Sequence, residues 1–189
     1  MDAINRSGNR FSSKGEKEVR SFIESLGFKT KTKKIYCKII KKYREIDIFI
    51  SELNIGIEYN GLYWHSEANP KIYPKYHLEK TELCKKNGIR LIQIFEHEWR
   101  DRKDQVKSFL RSALNKNENF IYARKCDIRQ VSKEETKQFL NNYHIQGNCP
   151  HTTSYGLYYN NELLALVTIG KHHRNSTEIV LSRFVGKNN

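Results

Sequence analysis

Apolar residues recur at two different periods along this chain, and the switches between those periods mark out its elements. Val19, Phe22, Ile23 and Leu26 stand at helical spacing and Gly27 follows them, so residues 14–28 read as an amphipathic helix closed by a glycine. Residues 46–50 and 54–59 are rich in β-branched and aromatic side chains, and the break at 51–53 predicts a strand pair joined by a turn. A second helix is expected over 74–86, ended by Asn87 and Gly88, after which the apolar run 89–95 reads as a buried strand. Val106, Phe109, Leu110 and Leu114 give residues 101–115 the apolar face of a third helix. This order predicts an α/β domain with a mixed central sheet flanked by helices.

The polar stretch 115–119 marks a boundary, giving a first domain over 1–116 and a small α+β module over 120–189. In that module 120–128 is strand-like, and Ser132 with Glu135 forms a capping-box pattern that opens a helix running to Tyr143. Residues 154–159 and 163–169 flank an Asn160-Asn161 turn as a hairpin, and 177–185 supplies a last strand.

Charge narrows the function. A formal net charge of +13 over 189 residues exceeds what solubility requires and answers a polyanion, either nucleic acid or an acidic membrane surface. No apolar run approaches the roughly 20 residues that span a bilayer, and residues 1–15 carry no hydrophobic signal core, so a soluble cytoplasmic protein without a membrane partner is expected. Cys37, Cys84, Cys126 and Cys149 stand far apart with no CxxC pair, the pattern of scattered reduced thiols. Residues 29–44 hold eight Lys or Arg and no acid, interleaved with Ile35, Tyr36, Ile39 and Ile40. Lys33, Lys34, Lys41, Lys42 and Arg44 there form either a solvated edge hairpin or an arm that grips phosphates, and the arm is the reading adopted.

Two acidic residues interrupt strands that are otherwise apolar: Asp47 within EIDIFI (45–50) and Glu58 within NIGIEYNG (54–61). Adjacent strands would each deliver one carboxylate. Buried carboxylates need a partner, and two that converge form the oxygen cage Mg2+ prefers; the alternative is ion pairing with Arg44, Arg90 or a lysine. Immediately downstream, Tyr63 and Trp64 precede His65. Such aromatics can stack on bases or wedge between them, and a histidine titrating near neutrality can take a proton from an attacking water.

These motifs together resemble the very-short-patch-repair (Vsr) endonucleases and, more closely, the Vsr-like homing endonucleases of phages and mobile introns. The resemblance covers about residues 10–116 and is carried by EKEV (16–19) with Phe22, Ile23, Leu26, Gly27 and Phe28, by EIDIFI (45–50), by NIGIEYNGLYWH (54–65), and by Cys84 with GIRLIQIFEHEW (88–99). It implies a restriction-endonuclease-like fold related to the PD-(D/E)xK nucleases, acting on double-stranded DNA with Mg2+ or Mn2+ and no zinc. Asp47 and the Tyr59 carbonyl fall at the metal ligands, His65 at the general base, and Glu16, with Glu18 as fallback, at the helix glutamate that supports catalysis. Tyr63 and Trp64 fall at the intercalating aromatics. The chain departs from the repair enzymes at Asn60, where they have a histidine, and at His77, where they have a supporting aspartate. Glu58 with Asn60 follows the ExK spacing of the wider class with Asn in the lysine position, which makes Glu58 a second candidate ligand and a catalytic candidate. More weakly, ARKCDI (123–128), FLNNYHIQG (139–147), YGLY (155–158), ELL (162–164) and LSRF (181–184) resemble the front of an acetyltransferase-like module. No glycine-rich loop for a cofactor pyrophosphate follows, so acyl transfer is not expected, and Lys171 to Arg174 is either a DNA contact or a solvated turn. The expected function is a Mg-dependent homing-type DNA endonuclease working in a host bacterial cytoplasm. A T:G mismatch-repair nickase and a non-catalytic nucleic-acid binder that keeps the fold are the alternatives.

Overall fold

In the computed structural model, which describes residues 13–37, 41–61, 76–117, 120–172, 174 and 177–187, the chain is a mixed α/β protein with two four-stranded sheets. It divides into two compact units, Met1–Trp99 and Arg100–Asn189. In the first unit the Ser13 hydroxyl accepts the Glu16 N–H and opens helix α1, Lys14–Ser25. Val19 and Ile23 are its buried stripe, and Gly27 ends it at φ +90°, a conformation that costs a glycine little. Strands β1 (Thr30–Cys37), β2 (Lys42–Ile50) and β3 (Ile55–Asn60) follow, then α2 (Tyr76–Lys86), β4 (Arg90–Phe95) and the short α3 (Glu96–Asp101).

The sheet order is β1-β2-β3-β4, antiparallel as far as β3 and parallel between β3 and β4. The strands alternate their two faces between two helices. Gly15 in α1 lies against the Tyr59 ring, whereas the neighbouring Glu58 meets Lys80 of α2, so the helices occupy opposite faces of β3. Ile35, Ile46, Phe49, Cys84 and Ile89 form one core cluster, to which α2 contributes Cys84. A register shift interrupts the β1–β2 pairing. Lys31 faces Phe49 and Lys33 faces Ile46, so three steps of β2 oppose two of β1, a bulge that re-aims the residues within it. Asp47 is one of those residues.

The described part of the basic stretch 29–44 lies in β1 and the start of β2, at one edge of the sheet, and residues 38–40 lie outside the described residues. The run 89–95 is the other edge strand, and its residues alternate between buried and partly exposed rather than being buried throughout.

The second unit holds α4 (Lys103–Ala113), a 3-10 turn at Ala123–Lys125, β5 (Asp127–Gln130), α5 (Lys133–Tyr143), β6 (Thr153–Tyr159), β7 (Glu162–Lys171) and β8 (Ile179–Gly186). Its sheet is antiparallel in the order β5-β6-β7-β8, over a core of Val131, Phe139, Leu140, Tyr158, Leu163 and Leu166. Asn160 and Asn161 both have positive φ, as a two-residue hairpin turn demands. The capping pattern at Ser132 forms by half: its hydroxyl accepts the Glu135 N–H, while the Glu135 carboxylate accepts the Tyr158 hydroxyl instead of turning back.

Two expectations shift here. The helix expected over 101–115 is α4, and it belongs with the second unit, so the units divide near Trp99 rather than at 115–119. The reason is visible in the side chains: Arg102 and Gln105 donate to the carbonyls of Asn141 and Asn142 at the end of α5. Of the segment 120–128 only Asp127 and Ile128 are strand, the start of β5, while Phe120, Ile121 and Tyr122 stay exposed and Phe120 packs edge-on against Tyr122 at 4.8 Å.

Alanine in place of a helical glycine normally stabilises by roughly 0.5–1 kcal/mol. At Gly15 a Cβ would stand 2.1 Å from the Tyr59 hydroxyl. Gly15→Ala is therefore expected to lower the urea midpoint, and to raise it when Tyr59 is also Ala. A raised midpoint in the single variant would show that α1 does not seat on Tyr59.

Candidate functional site

β2 and β3 stay paired only between Ile50 and Ile48 on one strand and Ile55 and Ile57 on the other. Past that point the bulge turns Asp47 so that its Oδ2 accepts the Tyr59 N–H at 3.0 Å, a side chain taking the place of a ladder bond. The Asp47 carbonyl accepts Arg20 Nη2 at 2.6 Å and Thr32 Oγ1 at 3.3 Å. A strand end, a bulge and a helix arginine together fix this aspartate.

Glu58 is 8% exposed. Lys80 Nζ donates to its Oε1, and Lys80 is itself buried, which for a lysine requires a partner. The lysine alternative foreseen for this carboxylate is thus realised, but on one oxygen alone. Oε2 is buried with no hydrogen-bond partner among the described residues. Burial pushes the Glu58 carboxyl up to about 7; Lys80 opposes that rise, and Asp47 adds to it by its charge and by a hydrogen bond that needs a shared proton.

Asn60, 1% exposed, donates its Nδ2 to Gln93 Oε1 at 3.3 Å, and its Oδ1 is a second buried oxygen without a partner. Gln93 Nε2 reaches Thr81 Oγ1 at 2.8 Å and the His77 carbonyl at 3.3 Å, tying β4 to α2. His77 lies one turn before Lys80, with its ring edge-on to Phe95 at 5.9 Å. Burial lowers its pKa and the Lys80 charge lowers it further, against a Gln93 hydrogen bond that raises it, so the environment favours the neutral imidazole.

Glu16 pairs with Arg20 Nη2 at 3.3 Å, the same nitrogen that holds the Asp47 carbonyl. Glu18 instead accepts the Trp99 indole N–H at 3.0 Å. Of the two helix glutamates, Glu16 is the one connected to the Asp47 strand. His65, Tyr63 and Trp64 lie outside the described residues. Among the basic residues, Lys33 sits over the Phe49 ring at 4.1 Å, Lys34 pairs with Glu45 at 3.8 Å, Arg44 sits over Tyr76 at 4.5 Å, and Lys41 and Lys42 are exposed.

The donor set suits a hard divalent cation. Asp47 and Glu58 supply carboxylate oxygens, and two buried oxygens, Glu58 Oε2 and Asn60 Oδ1, lack any donor. Among the described residues no three His, Cys, Asp or Glu gather into a metal-binding group. Mg2+ needs no such group, since it takes one or two carboxylates and completes its shell with water and phosphate oxygens.

No family model, curated protein or solved structure matches the chain. No helix among the described residues is long and apolar enough to cross a membrane.

Lys80, Arg20 and Gln93 escaped the reading of the sequence. Lys80 left a signal, since it stands four residues before the buried Cys84 and so places a charge on the inward face of α2. Arg20 and Gln93 left none, because their importance comes from partners 27 and 33 residues away.

Burial raises the folded Glu58 carboxyl from the ordinary 4.5 to about 7. A raised folded pKa gives stability that is full below about 4.5 and lost as pH rises through about 7, roughly 3 kcal/mol in all. Urea unfolding in EDTA across that window is expected to show this loss, Glu58→Gln to remove it, and Lys80→Met to move it to higher pH. Identical pH profiles for wild type and Glu58→Gln would contradict the buried placement of this carboxyl.

Proposed function

We propose that the chain is a metal-dependent DNA endonuclease of restriction-endonuclease-like fold, a homing-type enzyme that hydrolyses phosphodiester bonds in double-stranded DNA. The observation that carries this reading is the pair of acidic residues at the point where β2 leaves β3, one of them with a buried oxygen that no group among the described residues satisfies. The net charge of +13 supports a polyanionic substrate.

In this reading Asp47 and Glu58, with the Tyr59 carbonyl, hold Mg2+ or Mn2+. When bound, the cation supplies charge to the phosphate oxygens and makes water easier to deprotonate. The protein groups do the rest. Lys80 keeps Glu58 oriented and shares its charge, Arg20 steadies the Asp47 backbone, and Glu16 aligns Arg20. His65 takes the proton from the attacking water, and a neutral His77 orders α2 beside Lys80. Tyr63 and Trp64 wedge the duplex. The Asn60 amide contributes a neutral oxygen where the wider class has a lysine, and the buried ammonium comes from α2 instead. The reaction takes place in the cytoplasm, that of a bacterial host where the chain is phage-encoded.

Purified protein is expected to nick or linearise supercoiled plasmid with Mg2+ and to leave it intact in EDTA. Asp47→Ala and His65→Ala should fall to the level of a no-enzyme control, and Lys80→Met should slow cleavage by about 10- to 100-fold. Undiminished cleavage by Asp47→Ala rejects the site. A strong preference for a T:G-mismatched duplex over a matched one would assign the chain to mismatch nicking instead.

A further inference from the structure

The β1–β2 hairpin continues beyond the rest of its sheet. β2 pairs with β3 only at Ile48–Ile50, whereas its pairing with β1 runs on to Cys37 and Lys42, so its outer end is a two-stranded ribbon among the described residues. On one face of that ribbon Tyr36 and Tyr43 stand directly opposite each other, ring centroids 5.2 Å apart and planes at 61°. They are 46% and 68% exposed. Lys34 and Glu45 share this face, and the exposed Lys41 and Lys42 stand beside Tyr43. A cross-strand aromatic pair strengthens a hairpin, yet two tyrosines contributing only that would not need to leave so much ring in water.

The cations nearby are sorted in a way that points to a ligand. Lys31 and Lys33 lie over Phe49 and Arg44 over Tyr76. Lys41 and Lys42 make no ion pair or ring contact among the described residues; Lys42, opposite Cys37, is on the other face of the ribbon, and Lys41 adjoins the open end next to the exposed rings. Flat apolar faces edged by open ammonium groups match a polymer with flat bases and a phosphate backbone. Tyr43 is four residues along β2 from Asp47, about 13 Å at the rise of a strand, which is the span of about four phosphates on one strand of B-form DNA.

We propose that Tyr36 and Tyr43 form a stacking platform for unpaired bases of a DNA strand, with Lys41 holding the adjoining phosphate. The proposal rests on the nuclease reading for the identity of the polymer but not for its hydrolysis. A base can stack on a protein ring only after leaving its own stack, so the platform favours single-stranded or opened DNA over intact duplex.

The two kinds of contact have different signatures. Phosphate contacts release counterions and set the slope of log K against log salt, about 0.7 per contact on single strands, whereas stacking changes K without changing the slope. The probe is a fluorescein-labelled 20-mer, single-stranded or annealed to its complement, titrated by anisotropy in EDTA over a range of NaCl. Tyr36→Ala with Tyr43→Ala is expected to weaken single-strand binding by about 5- to 100-fold at fixed salt, to leave the slope unchanged, and to affect duplex less. Lys41→Ala should lower the slope by about 0.7, and Lys42→Ala, on the other face, should lower it less. The paired Phe variants should bind as wild type. The paired Leu variants, which keep apolar cross-strand contact and lose the flat face, should bind as the Ala variants do.

Leu variants that bind like wild type, Ala variants within twofold of wild type, or equal losses on single strand and duplex overturn the platform. If the Ala variants fail to fold, the comparison of Leu with Phe decides. Platform behaviour as expected, together with no cleavage in Mg2+, would reject hydrolysis alone. Cleavage with tyrosine-independent binding would reject the platform alone.

Discussion

Glu58 is buried on the sheet with one oxygen held by the Lys80 ammonium and the other held by nothing among the described residues. Carboxylates taken out of water are costly, and the attraction of a single cation only partly offsets the loss of solvation. The carboxyl answers by titrating near 7, so at neutral pH it is divided between a protonated form, stable in its pocket, and an ionised form that lacks a second partner. Proton, ammonium and any divalent cation therefore compete for the same two oxygens. Much of the surrounding architecture keeps them accessible to one another: Gln93 fastens Asn60 to α2 at Thr81, and this fixes the distance between the strand that carries the acid and the helix that carries the base.

β3 achieves this by using both of its faces within three residues. Glu58 and Asn60 turn toward the side of α2 and Gln93, and Tyr59 between them turns toward α1, where Gly15 leaves room for its ring. The Tyr59 N–H, left free where the ladder with β2 stops, is taken by Asp47. A single-residue slip of β3 would invert every one of these contacts, so the register set by Ile55, Gly56 and Ile57 against β2 and by the parallel pairing with β4 is also what brings the two acids together.

Period and punctuation carried most of the fold. The apolar stripe of α1, its closing glycine, the Asn-Asn hairpin and the Ser132 cap are local patterns, and local patterns are legible without a partner. The acids at 47 and 58 were legible for the same reason, as charges within apolar strands. The bulge that aims Asp47 was not, because it arises from the mismatch between β1 and β2 and neither strand encodes it alone. Lys80 was missed through its neighbourhood: α2 reads as a basic, weakly amphipathic segment, and only the packed helix separates the buried lysine from the exposed Lys85 and Lys86. The helix at 101–115 was placed in the wrong unit because an amphipathic face specifies that something covers it but not what. Hydrogen bonds to Asn141 and Asn142 give its side chains their partners.

The basic excess looks uniform in the sequence and is not uniform in the structure. An ammonium or guanidinium over an aromatic face gains electrostatic attraction while keeping most of its hydration, so Lys33 on Phe49 and Arg44 on Tyr76 are held in place without being neutralised. Their charge still contributes to the field around the Asp47 strand. Lys34 is partly offset by Glu45, and Lys41 and Lys42 are exposed at the open end. The hairpin thus grades from anchored charge near the acids to free charge at its tip. For a polyanion this arrangement separates two tasks, since long-range attraction depends on total charge and can be met by side chains that adapt. Holding a polyanion in one orientation needs groups that do not move, and Lys33 and Arg44, each seated on an aromatic ring, are such groups.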